Sequence, residues 1–473
     1  MDNIRLRNFR NIEDSGVIKL RPLTIFVGKN GMGKSSLMRL FPLIKQSVGV
    51  SKRGPFLWYS EKGVDFGDFN TVVMRGKKNI EIEFSIKFAR SADSFDVNIN
   101  LRIVAENVEK NNDDISYDYV EFIKFEYLGN IISVEYQHNL ESNYSRKANV
   151  NINGTDFDNV ECDYFMSSMF PIVNSQKNVS TITGFKELIN TLSENNKYKY
   201  RDPEDFFYVS FESFLRLLSG KEYGYNVKNV YNNIVFANLT NLMFNITMSI
   251  QIQSDNIIYI GPFRDAPQRY YRLQNLSTHQ IDMSGSNMAV FTNAMSKDTL
   301  KSFNQMAKSH FDFELKPERH SGHISLNIAK EGKSTNIVDN GFGYSQMMPV
   351  LLALHKFSNS RANSPYHFSD GSQIFCIEQP ELHLHPNMQY KMGKTFVDST
   401  IISKKKQPDN KIIVETHSRS FIDAVGDSVA KGEIEAKDVA VYIFDIVDGI
   451  FSIKLSEFDE EGYLNKWPIG FLD

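Results

Sequence analysis

The octapeptide Gly28-Lys-Asn-Gly-Met-Gly-Lys-Ser35 restricts the possible folds of this chain more than any other segment. It satisfies G-x-x-x-x-G-K-[ST] in full. Glycines at that spacing let backbone N–H groups turn inward around phosphate oxygens, which a loop of bulky residues could not do. In such a loop Gly28, Asn30, Gly31, Gly33 and Ser36 shape the cradle, Lys34 reaches the outer phosphates of ATP, and the Ser35 hydroxyl serves Mg²⁺. The loop needs a buried strand before it and a helix after it, whose N-terminal amides attract the anion. Both are present. Leu23-Thr-Ile-Phe-Val27 is a short β-rich run, and Ser35 to Gln46 carries apolar residues at Leu37, Leu40, Phe41 and Ile44, the spacing of one helix face. Pro42 is expected to kink that helix.

A phosphate cradle alone hydrolyses nothing; an acid at the end of a neighbouring buried strand must hold the metal. Ile374-Phe-Cys-Ile377 reads as a central strand, and Glu378 emerges at its carboxyl end, where open α/β sheets bind their ligands. Elsewhere, Ile80 to Ile86 and Val97 to Leu101 alternate apolar with polar residues, so residues 64–152 are expected to form antiparallel sheet with one wet face. Residues 155–300 read as mixed and mainly helical. Residues 310–473 return to α/β, with a glycine-rich turn into a helix at 339–356, strands at 374–377 and 411–415, and a strand pair at 440–455. Two cysteines are too few for a disulfide framework or a thiolate metal site. A formal charge of -4 gives no overall nucleic-acid footprint. From the polar start of Met1 to Arg10 no secretory leader is expected, and no apolar run approaches the ~20 residues that span a bilayer. A cytoplasmic location without membrane partners is expected.

The segment Glu378-Gln-Pro-Glu-Leu-His-Leu-His-Pro386 resembles the Walker B and D-loop of ABC-type AAA ATPases in the RecF, SMC and OLD (overcoming lysogenization defect) circle. Asn340-Gly-Phe-Gly-Tyr-Ser-Gln346 resembles their signature loop, and Ile412-Ile-Val-Glu-Thr-His417 their switch-histidine strand. Leu6-Arg-Asn-Phe-Arg10 resembles the first strand of the family. Tyr259-Ile-Gly-Pro-Phe-Arg264 and the ending with Trp467-Pro-Ile-Gly-Phe471 resemble a bacterial subgroup of anti-phage defence ATPase subunits of the PARIS or Septu type. The resemblance implies an α/β fold: an ABC-type P-loop head with a mixed central sheet, flanking helices and an inserted lobe. It places the head in residues 1–90 and 311–473 and the lobe in 91–310.

The resemblance also implies roles. ATP and Mg²⁺ are the expected ligands, with Ser35 and Glu378 at the metal. His417 would hold the γ-phosphate or the attacking water, while Gly343 and Ser345 would contact the γ-phosphate of a neighbouring protomer, making the functional unit a homo-oligomer. ABC heads carry an Asp-Glu pair at the end of the acid strand, whereas the second position here is Gln379. An amide orients water but accepts no proton as a carboxylate does, so turnover is expected to be slow unless Glu381 takes over part of the task. Gln46 is not the metal-sensing glutamine, because twelve residues of continuous helix place it ~18 Å from Lys34. The sensing loop falls in 64–70 and carries no glutamine.

Between the P-loop and the signature loop there is no sustained heptad pattern, so a compact insert replaces the coiled-coil arms of SMC proteins. After His417 there remain 473 − 417 = 56 residues, short for a separate nuclease domain of the OLD type. Cleavage is expected from a partner, a nuclease effector. Two functions follow: an ATP-gated switch that holds or releases such an effector in phage defence, or a RecF-like repair ATPase that clamps DNA. A nucleotide-binding scaffold without turnover is a third. Arg264, Arg269 and Arg272 do not decide between them, since each could face DNA, ATP or an acidic neighbour.

Overall fold

The computed structural model describes residues 1–52, 54–90, 93–110, 113–137, 147–163, 168–175, 227–272, 278, 280–359, 372–447 and 450–465. The Trp467 to Phe471 motif and residues 176–226 of the stretch read as mainly helical lie outside them.

The nucleotide-type sheet has six strands, in the spatial order Ile257–Ile260, Ile374–Glu378, Lys411–Glu415, Leu23–Gly28, Val439–Val447 and Ile450–Ser456. The first five are parallel, and the last pairs antiparallel at the edge. Parallel strands covered on both faces must be apolar throughout, and Leu23–Gly28, Ile374–Glu378 and Lys411–Glu415 are buried at every position. Their side chains alternate between two cores, as a pleat requires. Leu23, Ile25, Val27, Phe375, Ile377, Ile412 and Val414 join one core, which Met347, Leu351, Phe396 and Phe421 fill from the helices Phe342–Asn359, Pro386–Lys406 and Arg419–Ala430. Phe26, Cys376, Ile413 and Phe444 join the other core, packed against Leu37, Phe41 and Ile44 of the P-loop helix.

Beyond that helix lies a ten-stranded antiparallel sheet. Asn3–Phe9 pairs with Asn79–Arg90, which pairs in turn with Asp93–Lys110, and the ladder continues through Asp113–Tyr127, Asn130–Gln137, Lys147–Ile152 and Thr155–Asp163 to Ile172–Val173. Its pleat is half wet as the alternation demands: Asn130–Gln137 alternates buried and non-buried positions without a break. The expected alternation at 80–86 and 97–101 is thus explained by one continuous sheet. The helices Val227–Ala237 and Leu239–Asp255 pack on that sheet, Phe157 stacking on Phe236 with ring centroids 4.1 Å apart. A four-stranded sheet, centred on the hairpin Glu314–His320 and His323–Lys330, leads into the helix at Phe342.

The helix after the P-loop is interrupted only at Arg39, whose backbone stays helical, between Lys34–Met38 and Leu40–Ser47. Pro42 falls in the first turn of the second segment, where its missing N–H costs little. The interruption therefore precedes the proline rather than arising at it.

Candidate nucleotide-binding site

The P-loop geometry depends on its glycines at two positions in particular. Gly28 leaves its strand at φ 149°, and a Cβ there would lie 2.3 Å from the Phe444 carbonyl oxygen. Gly33 caps the helix at φ 86°, with Ile12 Cγ1 2.9 Å from where a Cβ would stand. Only a residue without a side chain meets both conditions. Lys34 folds back over the loop so that its Nζ donates to the carbonyls of Gly28 and Lys29, each at 2.8 Å. Burial pushes the pKa of this ammonium down, while Glu415 and Glu378 act to hold it up.

Two carboxylates meet the loop from adjacent strands. Glu378 and Glu415 are register partners at the ends of Ile374–Glu378 and Lys411–Glu415. The strand beside the P-loop strand is Lys411–Glu415, and the Glu378 strand lies one place further out. Ser35 Oγ accordingly donates to Glu415, at 2.8 Å from Oε2 and 3.0 Å from Oε1. One helical turn later Arg39 makes a bidentate pair with Glu378, Nε to Oε1 at 2.7 Å and Nη2 to Oε2 at 2.8 Å. Residues i and i+4 share one helix face, so Ser35 and Arg39 match two neighbouring strand ends. Tyr259 OH donates to Glu378 Oε1 at 2.6 Å. Burial, with the Glu378 charge beside it, pushes the Glu415 carboxyl up to about 7.

The turn after Glu378 is tightly built. Gln379 sits at φ 46°, its N–H donating to Glu415 O at 2.8 Å. Glu381 is buried, and its Oε1 accepts the His417 backbone N–H at 2.7 Å. Burial pushes the Glu381 pKa up, and the same effect, reinforced by Lys34, brings His417 down to about 4, so its imidazole is neutral at pH 7.

These groups surround a cleft of about 1150 Å³. Asn30, Gly31, Gly33, Lys34, Ser35, Ser36, Glu378 and Gln379 line it, so the first and last thirds of the chain converge as the motifs require. Gly28 contributes its carbonyl beneath Lys34. Glu381 and His417 are not among its lining residues, Glu381 being buried and His417 half-buried. Gly343 packs against the His383 carbonyl, which would lie 3.2 Å from a Cβ at 343. Ser345 is turned inward, its hydroxyl donating to Phe342 O at 2.6 Å, and Phe342 and Gln346 are the parts of that loop that line the cleft. Gln46 is held by loop 57–64: its side chain bonds Leu57 O, Val64 O and the Val64 N–H. From the loop after it, Asn70 and Thr71 reach the cleft.

Sequence reasoning passed over Glu415, Arg39 and Tyr259. Glu415 lay inside a motif read for its histidine, although like Glu378 it ends a buried strand. Arg39 was visible as the residue four after Ser35.

The arrangement fits a magnesium nucleotide. A buried ammonium, two positive-φ glycines and a helix start suit phosphate. The Ser35 hydroxyl and Glu415 carboxylate form an oxygen donor pair suited to a hard cation, whereas both oxygens of Glu378 are engaged by Arg39.

The fold and site define a P-loop nucleotide-binding protein. The model of the family described as AAA ATPase domain matches residues 1–422, and the chain belongs to that family. Over 242 residues it is 22% identical to "Endonuclease GajA" of Bacillus cereus (strain HuB5-5), covering 48% of this chain and 35% of that protein. The chain thus spans about a third of that relative's length. Among solved structures it is similar to an SMC head domain from Thermotoga maritima, with a TM-score of 0.36 and 10% identity over 96% of this chain and 97% of that one. A similar match is the SMC head bound to the C-winged helix domain of ScpA, with a TM-score of 0.38, 10% identity and coverage of 97% and 98%. No helix among the described residues is long and apolar enough to cross a membrane.

Proposed function

We propose that this chain binds ATP with Mg²⁺ in the cleft, hydrolyses it slowly, and acts as an oligomeric switch that controls a partner effector, a nuclease, in anti-phage defence. The observation that carries the nucleotide reading is the meeting of Lys34, Ser35, Glu415 and Glu378 in one cleft. Lys34 binds the outer phosphates, and the P-loop amides neutralise the oxygens that gain charge as the bond breaks. Ser35 and Glu415 would hold the metal, with Glu378 oriented beside them by Arg39. When bound, Mg²⁺ supplies charge neutralisation across the phosphate oxygens. The neutral His417 imidazole, its backbone fixed by Glu381, positions the attacking water, and Gln379 offers an amide where a stronger base would hasten proton removal. A second protomer brings Gly343 and Ser345 to the nucleotide. The effector reading is supported by the motifs shared with the OLD circle and by the partial likeness to a protein named an endonuclease.

Lys34→Ala tests the nucleotide reading. The variant is expected to keep its circular-dichroism spectrum and lose ATP binding in calorimetry; a folded variant that binds ATP as the parent does would remove the assignment. Copurification from the native host tests the effector, since the switch reading expects a nuclease among the retained proteins.

A further inference from the structure

Arg264 is a buried cation with unused donors. It follows the strand Ile257–Ile260 through Gly261-Pro-Phe, and its main chain is pinned where the Asp265 N–H donates to Ser284 O at 2.9 Å. Phe263 beside it is 88% exposed, but Arg264 is only 7% exposed. Nη2 donates to the carbonyls of Glu378, at 2.8 Å, and Gln379, at 3.1 Å. Nε and Nη1 have no hydrogen-bond partner. Leaving such donors buried and unpaired is costly. The neighbouring carboxylates make no hydrogen bond to them: Glu378 is taken by Arg39 and Tyr259, and Glu381, whose charge acts on Arg264, accepts the His417 N–H through Oε1 while its Oε2 is likewise buried without a hydrogen-bond partner. The guanidinium lines the same cleft as Lys34 and Ser35.

We propose that Arg264 reads the outermost phosphate of the bound nucleotide, a free Nε–H or Nη1–H donating to a phosphoryl oxygen, so that the cleft prefers a triphosphate to a diphosphate. The inference rests on the nucleotide reading above. The two free N–H groups point in diverging directions, so one of them meets the phosphate as a charge-assisted hydrogen bond. Arg264 enters from the strand three places away from the P-loop strand, roughly 14 Å across the sheet at ordinary strand spacing. Its contact with the Glu378 carbonyl places it on the acid-strand side of the cleft, away from the P-loop strand. Nη2 holds the turn at Glu378 and Gln379, so engaging a free donor braces the turn that leads to Glu381 and His417.

The test is calorimetry on the full chain with Mg²⁺, comparing ADP with the slowly hydrolysed analogue AMP-PNP. Arg264→Gln keeps an amide donor for the turn but loses the charged pair. A charge-assisted hydrogen bond sets the expected effect at a roughly tenfold to hundredfold loss for AMP-PNP, with ADP affinity changed by less than about twofold. Equal losses for both nucleotides, or no loss, overturn the proposal while leaving the nucleotide reading intact. A parent protein that binds neither nucleotide removes that reading and the proposal with it. Should Arg264→Gln fail to fold, Arg264→Lys keeps the charge without the fork and is read by the same comparison, with the smaller loss expected.

Discussion

Burial of the Glu415 carboxylate beside Glu378 makes folding depend on pH through one side chain. A carboxyl raised from its ordinary 4.5 to about 7 in the folded protein contributes stability that is present below 4.5 and lost as pH rises through 7, because the folded state must ionise it against burial. His417 and His355, both brought down to about 4, act in the opposite sense, giving stability present above 6.5 and lost as pH falls. The two trends mask each other in the parent. Glu415→Gln removes only the first, so its urea midpoint relative to the parent is expected to climb between pH 5 and pH 7.5. A constant difference across that range would show that Glu415 is ionised throughout. The sequence made Glu378 legible because four apolar residues precede it, but it gave no strand order. Only that order sets Glu415, not Glu378, against the Ser35 hydroxyl.

Elements were more legible than residues because each carries a period. The run Leu23 to Val27 ends at the P-loop in the structure as expected, and 411–415 is the strand Lys411–Glu415 to the residue. Local pattern gave no access to pairing across long separations, such as Asn3–Phe9 with Asn79–Arg90, because register is set by the partner strand. The glycine-rich turn into a helix at 339–356 is there, the helix running Phe342–Asn359. The P-loop itself offers the element-scale test. Gly33→Ala forces a Cβ into the left-handed region and against Ile12, at a cost of about 1–3 kcal/mol. Chemical denaturation is expected to show that loss, together with weaker ATP binding. A variant of parental stability would mean that the loop relaxes freely around position 33.

At the scale of the molecule, the question is what the cleft faces. Phe263 is 88% exposed and Phe342 52% exposed, and both line the cleft that holds Lys34. Exposed aromatics in one patch gain free energy when covered, and a second head that brings its 340–346 loop to the nucleotide would cover them. Light scattering with AMP-PNP and Mg²⁺ is therefore expected to show a doubling of mass that is absent with ADP. The doubling should also be lost in Lys34→Ala, which lacks the nucleotide. A mass that does not change with nucleotide would argue against the sandwich and favour a scaffold. The repair reading separates on a different axis. A DNA clamp contacts many phosphates, so its binding must fall steeply as salt rises and DNA must stimulate ATP turnover. A switch that grips a protein effector has no reason to show that slope. Titrating duplex DNA into the AMP-PNP complex at two salt concentrations thus decides between the two heads-together assemblies: affinity that collapses with salt selects the clamp, and no measurable affinity at either salt selects the switch.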